Sequence, residues 1–149
     1  MAELSITRTF PATRERVFEA WTAPEQFSVW FGTDGVEVPL DRLVMDVRPG
    51  GSWSAVMLLP DGNSISWVGE YLEVDAPSHL VMTITDRPAE DARGVITVDL
   101  GEVEGGTAMV MTQESPGFSR EQLDQTVIGY NAFFDVMQAL LENGSQAAE

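Results

Sequence analysis

The chain has 149 residues, a length that predicts one domain over residues 1–149 with a core large enough to need no disulfide or structural metal. It contains no cysteine, which excludes disulfides, thiolate catalysis and cysteine-based zinc sites. Its formal net charge of -16, from 24 acidic residues against 8 arginines and no lysine, argues against nucleic acid and anionic membranes as partners.

The remaining composition narrows the chemistry and the compartment. The first residues lack the basic region and apolar core of a signal peptide, and no run reaches the ~20 apolar residues of a membrane span, so we expect a cytoplasmic protein. The absence of lysine excludes Schiff-base chemistry. The single histidine, His79, follows a Pro-Ser turn signal and is predicted to be an exposed turn residue, not a catalytic base. No metal site is predicted.

The first third of the chain predicts one strand and two short helices. Residues 4–10 alternate in polarity, as a strand does. Thr13 is predicted to cap a helix whose apolar face carries Val17, Phe18 and Trp21. The segment Thr22–Glu25 has the spacing of a capping box for a second helix, which is predicted to end at Gly32.

The middle of the chain predicts an antiparallel meander. Strand patterns occur at residues 44–47, 53–59, 64–71, 80–85, 96–100 and 109–113. Turn signals recur roughly every 8–12 residues between them, as in meanders. The polar stretch 86–93 is predicted to be a loop, and Gly69 is predicted to mark a strand bulge.

The last segment predicts one long helix. Ser119–Gln122 matches a capping box, and Asn143–Gly144 is typical of a helix end. A helix of about 24 residues is about 36 Å long, enough to cross a small sheet. The pattern of elements therefore predicts an α+β domain.

The order of aromatic and turn residues resembles a known family. The segments concerned are Ala20–Glu25, Val29–Gly32, Asp46–Trp53, Gly105–Thr107 and Gly129–Tyr130. They resemble the bacterial branch of the family named after the activator of the heat-shock protein 90 ATPase, within the START-like, birch-pollen-allergen-like (SRPBCC) superfamily. The resemblance runs from about Ser5 to Leu141. It implies a helix-grip fold, with two short helices after the first strand and a curved antiparallel sheet wrapped around a long C-terminal helix.

The same resemblance implies an apolar cavity between the sheet and that helix. Large, soft side chains and a few polar ones are the candidate lining: Trp53, Met57, Trp67, Met82, Met109, Met111, Gln113, Tyr130, Phe134 and Met137. Each of them would serve equally in a filled core. Relatives usually carry tryptophan where this chain has Tyr130, and Gly129 before it is expected to allow close helix–sheet approach.

Three functions follow as hypotheses. The first is a small-molecule binding protein that holds an apolar or aromatic ligand in this cavity. The second is an enzyme resembling polyketide cyclases and dehydrases, for which Tyr130, Glu70, Arg48 and Asp46 are the available groups. The third is a co-chaperone-like partner that stimulates a heat-shock protein 90 ATPase.

The first hypothesis is favoured, because the resemblance implies a cavity and the inner side chains are large and soft. The enzyme hypothesis is less favoured, because the chain has no nucleophile, metal or cofactor motif. We therefore assign no catalytic residue and no cofactor. The sequence leaves both a monomer and a homodimer open.

Overall fold

The computed structural model describes residues 3–32, 36–86 and 93–147, with side chains described as far as residue 142. The elements follow in the order β1 (Glu3–Phe10), α1 (Arg14–Thr22), α2 (Pro24–Trp30), a 3-10 turn (Leu40–Arg42), β2 (Val44–Met45), β3 (Ser52–Leu58), β4 (Ser64–Asp75), β5 (His79–Ile84), β6 (Gly94–Val103), β7 (Gly106–Glu114) and α3 (Arg120–Ala147).

The seven strands form one curved antiparallel sheet in the order β1-β7-β6-β5-β4-β3-β2. Strands β2 to β7 are a meander in which each strand pairs with the next. Strand β1 pairs with β7 at the opposite edge from β2. The two short helices therefore carry the chain from one edge of the sheet to the other, which confirms the predicted helix-grip α+β architecture.

Helix α1 begins as the sequence predicts, and α2 does not. The Thr13 hydroxyl accepts a hydrogen bond from the backbone N–H of Arg16 at 3.3 Å. Before α2, the capping-box prediction is wrong: Ala23 is the N-cap, and the Thr22 hydroxyl instead donates to the Phe18 carbonyl at 2.9 Å. Thr22 is the last residue of α1, so its side chain bonds back along the helix it ends rather than forward to α2.

Helix α3 begins at the predicted capping box and continues past its predicted end. The Ser119 N–H donates to Gln122 Oε1 at 2.8 Å, and the Gln122 N–H donates to Ser119 Oγ at 3.1 Å. The predicted end at Asn143–Gly144 is wrong, since the helix extends to Ala147. One glycine costs a helix only about 1 kcal/mol, which does not by itself end it.

The strand irregularity lies beyond its predicted position. The register of β4 against β5 shifts between Tyr71 and Glu73, so the bulge prediction at Gly69 is wrong. Of the loop predicted at 86–93, residues 87–92 lie outside the described residues.

An aromatic cluster fills much of the space between the sheet and the helices. Its rings are Phe10, Trp21, Phe27, Trp30, Phe31, Trp53 and Phe134, all buried. Trp21 and Trp30 meet edge to face with ring centroids 4.7 Å apart. The buried Trp30 indole N–H donates to the Ala20 carbonyl at 2.7 Å, so α1 and α2 are joined by a polar contact inside the core.

None of the helices in the described part of the chain is both long and apolar enough to cross a bilayer.

Candidate functional site

A cavity of about 660 Å³ lies between the sheet and the first half of α3. Five positions of α3 line it at helical spacing, so they share one face of the helix. These positions are Gln122, Thr126, Gly129, Tyr130 and Phe133. The other lining residues come from the end of α2, from strands β3 to β7 and from the segments that follow β5 and β7: Phe31, Met57, Trp67, Ile84, Thr85, Asp86, Arg93, Gly94, Gln113, Ser115, Pro116, Gly117 and Phe118.

Four of the ten residues predicted to line a cavity contact this one. They are Met57, Trp67, Gln113 and Tyr130. The other six lie in the packed core and not against the cavity: Trp53, Met82, Met109, Met111, Phe134 and Met137. Met109 and Met111 precede Gln113 along β7, and both belong to the buried core cluster that also contains the aromatic rings.

One wall of the cavity is aromatic. Phe31, at the end of α2, has its ring centroid 5.8 Å from that of Phe133 and 6.3 Å from that of Trp67. Tyr130 meets Phe133 edge to face at 5.9 Å. These rings join α2, β4 and α3 around the cavity, and their faces and edges form an apolar surface on this side of it.

A buried polar network forms another part of the lining. The Tyr130 hydroxyl donates to Gln113 Oε1 at 2.5 Å, and Gln113 Nε2 donates to Ser115 Oγ at 2.8 Å. Their exposed fractions are 6% for Tyr130, 6% for Gln113 and 2% for Ser115. Burial raises the pKa of the Tyr130 hydroxyl well above its ordinary value, so the phenol stays protonated and donates to the amide.

The sequence pattern held a signal for Ser115 that our prediction did not use. Met109, Met111 and Gln113 alternate along β7 with inward side chains, and Ser115 is the next position with the same period of two. The strand itself ends at Glu114, yet the serine keeps the inward orientation and is buried. The alternation of inward side chains therefore continues one residue past the end of β7, and it adds Ser115 to Gln113 as a buried polar residue.

Gly129 does not have the predicted role. A Cβ atom at this position would meet no heavy atom of the described residues within 4 Å, so the glycine does not allow close helix–sheet approach. It faces the open cavity instead. Space that a side chain could fill is left free directly beside Tyr130.

The cavity opens to solvent beside the start of α3. Pro116, Gly117 and Phe118 line it and are exposed. Asp86, which is exposed, and Arg93, which is half-buried, add one charge of each sign to the lining. The buried part of the cavity contains neutral side chains only among the described residues.

The other groups available for catalysis lie away from this cavity. Glu70 on β4 is exposed. Asp46 and Arg48 form an exposed ion pair at 2.9 Å just after β2, in which hydrogen bonding to Asp46 raises the pKa of Arg48. Of the four groups considered for an enzyme, the structure places only Tyr130 at the cavity.

The prediction that His79 lies in a turn is wrong, because His79 is the first residue of β5. Its imidazole lies between two carboxylates, with Nδ1 2.6 Å from Asp99 and Nε2 3.2 Å from Glu73. Across the described part of the chain, no group of three or more acidic or histidine side chains is placed to hold a metal ion.

The curved antiparallel sheet, the long closing helix and the cavity between them define a helix-grip protein of the START-like kind. Residues 11–142 match the family described as activator of Hsp90 ATPase homolog 1-like protein. The chain belongs to this family. A search of curated proteins found no match.

Solved structures share the fold at low sequence identity. An AHSA1 protein from Silicibacter pomeroyi is 20% identical, with 96% of this chain and 99% of that chain covered and a TM-score of 0.84. A protein from Chromobacterium violaceum is 21% identical, with coverages of 94% and 96% and a TM-score of 0.82. An AHSA1-like protein from Aeromonas hydrophila is 20% identical, with coverages of 96% and 94% and a TM-score of 0.80. Likeness at this identity shows the fold alone.

Proposed function

We propose that the protein binds an apolar or aromatic small molecule in the cavity between the sheet and α3. The observation that carries the proposal is a cavity of about 660 Å³ with an aromatic wall and a short buried polar network. Ligand sites of drug-sized molecules are about 300–1,000 Å³, mostly apolar, with a few polar groups that set orientation. The lining has this composition.

Binding without catalysis is the function that the lining residues favour. Tyr130 is the single group from the enzyme hypothesis at the cavity, and its raised pKa makes it a hydrogen-bond donor rather than a base. Glu70, Asp46 and Arg48 would have to move from the solvent-exposed surface to reach a bound ligand.

The first experiment is native mass spectrometry of the purified protein, followed by extraction and identification of any released molecule. Two variants sharpen it. Gly129→Leu places a side chain into the open cavity, and Gly101→Leu makes the same change on β6, outside the lining and with no atom within 4 Å of the added Cβ. We expect a bound molecule in the wild type and in Gly101→Leu, and none in Gly129→Leu.

Two results would contradict the proposal. One is a molecule that remains bound in Gly129→Leu, which would place it elsewhere on the protein. The other is a wild type that carries no molecule and binds none of a panel of neutral aromatic compounds in solution. In that case the search would move to protein partners, and an ATPase assay with an Hsp90 chaperone would test the activity in the family's description.

A further inference from the structure

We propose that the ligand is uncharged and carries a hydrogen-bond acceptor on an apolar body, as an aromatic ketone, ester or lactone does, and that this acceptor binds at Gln113 and Ser115. The inference rests on the proposed function, since it names the chemical class that the same cavity would take. It is carried by a surplus of buried donors in the cavity wall.

The surplus follows from counting hydrogens in the network. A phenol, a serine hydroxyl and a primary amide together offer four hydrogens for donation. The bonds from Tyr130 to Gln113 and from Gln113 to Ser115 use two of them. The Ser115 hydroxyl hydrogen and one Gln113 amide hydrogen have no acceptor among the hydrogen bonds of the described residues.

Rotation of the Gln113 amide would not change this count. With its nitrogen toward Tyr130, the amide would donate to the phenol oxygen and accept from Ser115. The Tyr130 hydrogen would then be left over in place of the Ser115 hydrogen. One hydroxyl hydrogen and one amide hydrogen remain in both arrangements, so the network presents donors to the cavity either way.

Burial makes this surplus meaningful. Ser115 is 2% exposed and Gln113 is 6% exposed, and a buried donor without an acceptor costs about 1–3 kcal/mol. Trp67, on the aromatic wall, also has a buried indole N–H without an acceptor among the described residues. A carbonyl oxygen on a bound ligand has two lone pairs and would accept from both free hydrogens of the network.

The charge distribution favours a neutral ligand over a carboxylate. The protein carries a net charge of -16, so its overall field repels anions. Among the residues that the structure describes, no cationic side chain takes part in the buried network, and an ionised group without a charged partner is costly to bury. Arg93, which lines the cavity, interacts with another group of the protein.

The test compares three naphthalene probes by isothermal titration calorimetry. Acetylnaphthalene has the carbonyl acceptor, isopropenylnaphthalene has the same shape with a methylene group in place of the oxygen, and naphthoate has a negative charge. One hydrogen bond of about 1 kcal/mol corresponds to about a fivefold change in Kd. We expect the wild type to bind the ketone about fivefold more tightly than the alkene, and naphthoate more weakly than either.

A triple variant, Gln113→Leu with Ser115→Ala and Tyr130→Phe, removes all three polar groups of the network. No buried donor or acceptor of the network is then left without its partner. We expect its ketone-to-alkene ratio to fall to about one, while Ser66→Ala, an exposed β4 change outside the lining, keeps the wild-type ratio.

The wild-type ratio decides the inference even if the triple variant does not fold. Equal binding of ketone and alkene, or tightest binding of naphthoate, would overturn the acceptor assignment and leave the proposed function standing. Failure of all three probes to bind would contradict the proposed function and this inference with it.

Discussion

Gly69 shows how a missing side chain permits one contact in the sheet. Trp53 lies opposite Gly69 in the register of β3 and β4. The Trp53 indole reaches across this glycine, and its Nε1 donates to the carbonyl oxygen of Thr83 on β5 at 2.9 Å. The Thr83 hydroxyl accepts from the backbone N–H of Glu70 at 2.9 Å. The Trp53 side chain thus links β3 to β5 across β4, and the Thr83 side chain links β5 to β4.

We expect Gly69→Ala to lower the free energy of unfolding by about 3 kcal/mol, the range of severe core disruption. A Cβ atom there would overlap the Thr83 carbonyl oxygen and the Trp53 indole nitrogen, and neither is the end of a flexible chain. Urea denaturation followed by circular dichroism measures the change. Gly101→Ala, where the added Cβ meets nothing within 4 Å, is the matched control and should stay within about 1 kcal/mol of the wild type. Equal stabilities of the two variants would contradict the role of Gly69.

Helix α3 is attached to the sheet at the edge strand β1, away from the cavity. Arg8 on β1 donates to the Asn131 carbonyl at 3.2 Å, to Asp135 Oδ1 at 2.9 Å and to Gln138 Oε1 at 3.0 Å. These acceptors lie along one face of α3 from Asn131 to Gln138, a stretch that begins among the last positions that line the cavity. Arg8 thereby fixes α3 against β1 where the cavity-lining stretch of the helix ends.

We expect Arg8→Met to lower the free energy of unfolding by about 1 kcal/mol, since it keeps the apolar stem and removes three hydrogen bonds of a charged group near the surface. Arg120→Met is the control. Arg120 is 91% exposed and its ion pair with Asp124 is 3.7 Å long, so its loss should change stability by less than about 0.5 kcal/mol. Thermal unfolding at low and high salt measures both. An effect of Arg8→Met no larger than that of Arg120→Met would show that α3 is held by apolar packing alone.

His79, the one histidine of the chain, lies between two carboxylates and makes the stability of the protein depend on pH. The hydrogen bond to Asp99 raises the pKa of His79 above its usual value of 6.5; partial burial opposes the rise, and the charges of Asp99 and Glu73 add to it. The charged imidazole is favoured in the folded protein. Its stabilising contribution is therefore complete below the unfolded pKa of about 6.5 and is lost as pH rises through the higher folded pKa.

We expect the wild type to be more stable than His79→Gln at about pH 6 and to lose that advantage by about pH 9. The difference in the free energy of unfolding should not exceed about 1 kcal/mol, because the interaction is near the surface. Taking the difference between the two proteins removes the titration of the many other carboxylates. Urea denaturation at both pH values measures it. A difference that is unchanged, or larger at the higher pH, would contradict the assignment.

Local signals were sufficient for most of the elements, and they failed where contacts from elsewhere decide the outcome. Thr13 and Ser119 cap their helices as predicted, because a cap is made by residues a few positions apart. Thr22 has the same kind of local pattern, but its hydroxyl bonds back to Phe18. The register shift beyond Tyr71 arises in the pairing of β4 with β5. The alternation of side chains within β4 alone therefore does not predict it.

For the cavity, the sequence determined which side chains face inward, and the tertiary structure decided which of them meet empty space. Alternation on β7 and helical spacing on α3 place Met111, Gln113, Tyr130 and Phe134 on the inner face, since side-chain direction follows from the backbone period. Whether such a residue packs or lines a cavity depends on the local distance between sheet and helix. That distance is set by the curvature of seven strands, the aromatic cluster under α1 and α2, and the attachment of α3 at Arg8. Gln113 and Tyr130 lie where the sheet and helix separate. The predicted lining residues that instead pack in the core are Met82, Met109, Met111, Met137, Phe134 and Trp53.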